Sequence, residues 1–209
     1  TFGHLWFLLN IFLYVIWLIG ILIYLKDNPD NAFFRFLSKL IRWRPGLFLF
    51  AIPIMIEAWL INPDYYGTFV DTAHGWIIGL VCFFIGFLFI SVKDVFWPAV
   101  KRIRWYALLI AVSLYLVRLI MFKLVSDPKW LTALESWSWM LAAVGFGSYY
   151  LNKPSQSLKY FSTAVYPVYI VHMPIQFIVA YFLLEQPLSA FLKLILLLIG
   201  TFGFSLLLY

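Results

Sequence analysis

Seven apolar stretches, each approaching the length of a bilayer crossing, occupy most of this 209-residue chain. Short charged or turn-forming segments separate them. This pattern excludes a water-soluble fold, because 65% of the residues are apolar and only 11% are charged. A soluble domain is roughly half apolar and a quarter charged, and one this small has no interior able to hide so much hydrocarbon. The same composition excludes disorder. The expected fold is all-α, a polytopic transmembrane helical bundle of about seven spans forming one domain over residues 1–209.

The spans are read as 5–25, 47–61, 75–90, 105–122, 131–150, 163–184 and 190–209. The second is short: its fifteen residues reach roughly 22 Å at ~1.5 Å each. It also contains Pro53 and Glu57, so it is expected not to face lipid on all sides. Loop charges give the direction. Lys26, Arg35, Lys39, Arg42 and Arg44 precede the second span, Lys93, Lys101, Arg102 and Arg104 follow the third, and Lys153 and Lys159 follow the fifth. Against these eleven stand Lys123 and Lys129 in the alternate loops. By the positive-inside rule the first set is cytoplasmic, and residue 1 lies on the outer side of the cell's inner membrane. The segment 32–40 reads either as a short amphipathic helix on the inner leaflet, with Phe33, Phe34, Leu37 and Leu40 on one face, or as an ordinary basic loop.

The remaining totals narrow the partners. A net charge of +6 carried mainly by two short loops fits an anionic leaflet rather than nucleic acid. Trp6, Trp43, Trp59, Trp76, Trp97, Trp105 and Trp130 lie near span ends, where an interfacial belt would put them. Trp17, deep in its run, reads as packing. The single cysteine, Cys82, permits no disulfide within the chain. No signal-peptide pattern is present. The chain opens at Thr1 directly into an apolar run and stops inside another, which leads to the expectation of a longer protein.

Ionisable groups within spans are costly and therefore the first functional candidates. His4 opens the first span, Glu57 lies in the outer half of the second, and His74 opens the third just after Asp71. Arg118 is one turn from the outer end of the fourth, and His172 is near the middle of the sixth. A bundle could gather these groups round an outward-facing cavity, pairing Glu57 with Arg118, orienting a histidine and holding a polar substrate. Each also has a plainer role: His4 and His74 as interfacial residues, and Arg118 snorkelling to headgroups. Tyr169 and His172, three apart, share a helix face between Pro167 and Pro174, and the imidazole serves either to fix two helices or in chemistry. No HExxH metal motif, glycine-rich phosphate loop or GxSxG elbow occurs. Lys193 sits at the outer edge of the last span, a poor place for a retinal Schiff base.

The opening Gly3-His4-Leu5-Trp6-Phe7-Leu8 resembles the HLWFL segment of the acyltransferase 3 family of integral membrane acyltransferases. The region from Asn152-Lys153-Pro154-Ser155 through Tyr160-Phe161-Ser162 to Tyr166-Pro167-Val168-Tyr169-Ile170-Val171-His172-Met173-Pro174 resembles that family's penultimate helix, and the flavour is that of the glucan-biosynthesis succinyltransferase branch. The resemblance implies transfer of an acyl group from cytoplasmic acyl-CoA, the donor substrate, to a hydroxyl of an extracytoplasmic glycan or lipid, with no bound cofactor. It also implies that the first helices of the family fold, which carry its principal catalytic histidine, are missing from this chain. His172 and His4 match recurring family positions. With Glu57 they are the candidate catalytic residues, in supporting roles, while Arg118, His74, Tyr169 and Trp6 are the candidates for holding substrate. The alternative is a non-catalytic accessory subunit of a larger membrane protein complex, such as a respiratory complex, with Phe83, Phe84, Phe87 and Phe89 as its docking face. Membrane lipids are the expected partners in either case.

Overall fold

The computed structural model describes residues 6–63, 72–125 and 127–209, and every regular element among them is helical. The helices are α1 (Trp6–Asp27), α2 (Ala32–Arg42), α3 (Ala51–Ile61), α4 (Ala73–Ser91), α5 (Lys93–Phe122), α6 (Lys129–Tyr150), α7 (Gln156–Leu184) and α8 (Ala190–Leu207), and a 3₁₀ turn, Gly46–Phe50, leads into α3. They fall into two compact units, Trp6–Leu151 and Asn152–Tyr209.

Side-chain caps set several helix starts. Asn31 accepts from the Phe34 amide at 2.8 Å, Thr72 from Gly75 at 3.0 Å, and Ser155 from Leu158 at 3.0 Å. Asn62 and Lys123, in left-handed backbone with φ of 45° and 51°, close α3 and α5.

In the first unit α6 is the central helix, packed against α5 on one side and α3 on another. Its inward residues are unusually polar, with Thr132, Glu135, Ser138 and Ser148 buried beside Trp137 and Leu141. Trp137 donates its indole N–H to the Leu47 carbonyl at 2.9 Å, which ties α6 to the 3₁₀ turn. Gly145 lets α5 come close: a Cβ there would lie 2.8 Å from both the Arg104 Cβ and the Val100 carbonyl oxygen. Phe89 stacks on Phe96 at 4.4 Å and meets Phe50 edge-on at 4.9 Å, joining α4 to α5 and to the 3₁₀ turn. In the second unit α7 and α8 pack against each other.

Five helices are long and apolar enough to cross a membrane: α1, α4, α5, α7 and α8. A sixth crossing is reached if α2 and the segment Gly46–Ile61, bent by 119° from each other, count as one broken span. Length and composition among the described residues thus support five or six crossings and do not confirm the expected count of about seven. The expected fifth span is α6, whose polar residues point into the protein and lower its apolar content. Two further expectations change. Lys93 to Arg104 do not form a loop but are the first turns of the 30-residue α5, and Lys159 lies inside α7. The segment 32–40 is helical, yet it turns Phe34, Leu37 and Ile41 into the protein and leaves Phe33 exposed.

The four phenylalanines of the expected docking face do not share one. Phe89 is buried, and Phe84 and Phe87 pack against the core. Trp17 lays its ring 5.6 Å from that of Trp76, but most of its surface stays exposed.

Candidate functional site

The polar groups of the first unit form two separate buried clusters. Glu57 is one turn from the end of α3, and His74 is the second residue of α4. The packing of α3 against α4 brings the two side chains together: the imidazole Nδ1–H donates to Glu57 Oε1 at 2.7 Å. Glu57 is 5% exposed and His74 1%. The first turn of α4 carries the positive end of its helix dipole, which favours a carboxylate beside it. Glu57 Oε2 is buried and accepts no hydrogen bond among the described residues.

Gly75, the residue after His74, lines a slot of about 440 Å³ between α1 and α4, together with Trp6, Asn10, Tyr14, Gly79 and Cys82. Tyr14 donates its hydroxyl to the Trp76 carbonyl at 3.0 Å. A Cβ on Gly79 would collide with that same hydroxyl, so the glycine is what lets the phenol lie against α4.

Arg118 does not pair with Glu57, contrary to expectation. Its Nε donates to Asp127 Oδ2 at 2.8 Å and its Nη1 to Glu135 Oε2 at 2.6 Å. Thr132 also donates to Asp127 Oδ2, and Trp139 donates to Glu135 Oε1 at 3.3 Å. The cause is the short connection between α5 and α6: Asp127 lies in it, two residues before α6 begins, and Glu135 stands in the second turn of α6, so both acids reach the last turn of α5. Burial alone would push the Asp127 carboxyl up, but the Thr132 and Arg118 hydrogen bonds and the guanidinium charge outweigh it and hold the group below the usual carboxylate range.

In the second unit Tyr169 and His172 share a face, with ring centroids 5.6 Å apart. The His172 Nδ1–H donates to the Tyr169 carbonyl at 2.6 Å, so the imidazole of this proline-flanked turn is anchored to its own helix. Glu57 belongs to the first unit and His172 to the second. His4 and Asp71 lie outside the described residues.

Reading by residue type missed Asp127 and Glu135. The signal was available: an arginine just before a helix end and an acid just after the next helix start will meet across a tight hairpin. Among the described residues no group of three His, Cys, Asp or Glu side chains could hold a metal ion. Set against protein-family models, curated proteins and solved structures, the chain has no match in any of the three.

Proposed function

We propose that this chain is part of an integral membrane O-acyltransferase of the acyltransferase 3 type, moving an acyl group from cytoplasmic acyl-CoA to a hydroxyl of an extracytoplasmic glycan or lipid. In this reading it sits in the inner membrane with residue 1 outside, and α3 and α6 count as crossings. The observation that supports it most is the buried carboxylate–imidazole pair, Glu57 and His74, beside a slot in the membrane region.

The pair suits the proton step. The carboxylate holds the imidazole Nδ1–H and so fixes the orientation of the ring. In the reaction the family's principal histidine takes the proton of the acceptor hydroxyl as that oxygen attacks the thioester carbon. The carbon–sulfur bond breaks, and the same proton passes to the leaving thiolate, giving an ester and CoA thiol. The family's principal histidine belongs to the helices that precede this segment, so Glu57 and His74 support that group. Tyr169 and His172 keep their place as candidates in the second unit.

The test uses the full natural chain containing residues 1–209, reconstituted in vesicles with acyl-CoA and a glycan acceptor, with the acylated product read by mass spectrometry. Glu57→Gln and His74→Ala are expected to lose roughly a hundredfold or more in kcat. Wild-type rates in both variants would remove the pair from the mechanism. A full chain that transfers nothing and copurifies at fixed stoichiometry with another membrane complex would replace the enzyme reading with that of an accessory subunit.

A further inference from the structure

A groove of about 550 Å³ opens between α2 and the turn before it. Arg35, Lys39 and Arg42 line it with Ser38, Asp30 is its one acid, and Phe34 and Val92 contribute apolar surface. The three cations stand at i, i+4 and i+7 and so form one stripe along the helix. Among the described residues none of their side chains has a hydrogen bond or ion pair.

The helix's own electrostatics explains only part of this stripe. Lys39 and Arg42 are in the last turn of α2, where the negative end of the dipole favours cations. Arg35 is in the first turn, where the dipole opposes a positive charge, and it faces a like charge at Lys39 one turn on. Nor is the Arg42 carbonyl left to attract a neighbouring cation, because the Arg102 guanidinium already donates to it at 2.7 Å. Among the described residues Asp30 is the one acid at the groove, and it forms no ion pair with the stripe, which leaves the three cations open to an anion from outside the chain.

The rest of α2 says which anion. One side, Phe34, Leu37 and Ile41, is buried in the protein. A third side presents Phe33 and Phe36, 42% and 63% exposed, and Trp43 continues it, 57% exposed. Aromatic residues of this kind seat a helix at the boundary of headgroups and acyl chains, with its basic residues at the level of the phosphates. A soluble phosphate would need the cations but not the aromatic side.

We infer that the groove of Arg35, Lys39 and Arg42 is a binding site for the phosphate of an anionic phospholipid, whose acyl chains lie along the aromatic side of α2. The site holds the lipid by charge and is sensitive to salt, unlike the apolar contacts of the spans.

Native mass spectrometry of the detergent-purified protein, titrated with phosphatidylglycerol or phosphatidylcholine, tests this. The wild type is expected to keep phosphatidylglycerol preferentially, and each of Arg35→Gln, Lys39→Gln and Arg42→Gln to weaken it about fivefold. Lys153→Gln with Lys159→Gln, which removes two charges elsewhere, is expected to leave the preference unchanged. Arg35→Lys, which keeps the charge, is expected to retain most of it and serves as the check if the neutral variants fold poorly. Equal binding of the two lipids by the wild type would overturn the assignment, as would an equal loss in the Lys153/Lys159 variant. Pyrophosphate binding that depends on Arg35, with no preference between the lipids, would hand the groove to a soluble anion and equally end the lipid assignment.

Discussion

Two buried charge clusters in the same unit are built to different standards. Around Arg118, Asp127 accepts twice at Oδ2 and Glu135 accepts at both oxygens, and neither acid has a buried oxygen left without a partner among the described residues. At Glu57 one oxygen holds His74 and the other, equally buried, accepts nothing. Buried polar atoms are nearly always paired, and an exception calls for an explanation. The first cluster is a clamp that locks the α5–α6 hairpin. The second leaves one buried carboxylate oxygen without a partner among the described residues.

The contrast can be broken most forcefully at Arg118. Arg118→Ala leaves two acids buried without their cation and is expected to cost about 3–5 kcal/mol, read as a fall in thermal stability in detergent. Replacing Arg118, Asp127 and Glu135 together by leucine is expected to recover most of that loss. A cost no larger than that of a surface substitution would show that the cluster is not a clamp.

Gly79→Ala probes the wall of the slot beside the second cluster. The new methyl group displaces the Tyr14 hydroxyl from the Trp76 carbonyl, at an expected cost of about 1–3 kcal/mol. Tyr14→Phe in the same background removes the colliding oxygen and is expected to restore part of the stability. No gain from the second change would place the strain elsewhere.

Acid sharpens the comparison from another side. The folded Asp127 carboxyl titrates below its ordinary value, so its contribution is fully present above the usual carboxylate range and is lost as pH falls through the lowered value. Melting temperatures of the wild type are therefore expected to drop at acid pH more than those of Asp127→Asn. Parallel curves for the two proteins would show that the carboxyl does not couple to folding.

The smallest stability change is expected at Glu57→Gln, within about 1 kcal/mol, since the amide oxygen can still accept from His74. Under the proposed function its effect should appear in acyl transfer instead. A destabilisation as large as that of Arg118→Ala would erase the distinction between the two clusters.

Much of the architecture was legible in the residues, because apolar runs of this length can only be buried or bathed in lipid. The exceptions have physical causes. The interior of α6 is polar, so composition hides how central the helix is, while its apolar count understates its claim to be a span. Helix starts such as Lys93 and Gln156 lie in charged or polar stretches, and loop chemistry masks a helix that simply continues beyond its apolar part. Among site residues, Glu57 and His74 were singled out by type and depth, and the structure joins them. Arg118 was singled out but given the wrong partner, because its true ones stand in the connection to the next helix and on that helix, and only their packing together reveals them. The anchoring of His172 to the Tyr169 carbonyl was one of several partners its surroundings allowed.

The elbow before α3 has a consequence for the surrounding lipids. The 3₁₀ turn and α3 together cover roughly 26 Å at ~2.0 and ~1.5 Å per residue, against about 30 Å of hydrocarbon. Counted as a crossing, this segment is undersized next to helices of 22 and 30 residues. Acyl chains at its flank must shorten or tilt, drawing headgroups and their water down toward the end that carries Glu57. Counted so, the segment suits membranes of modest thickness.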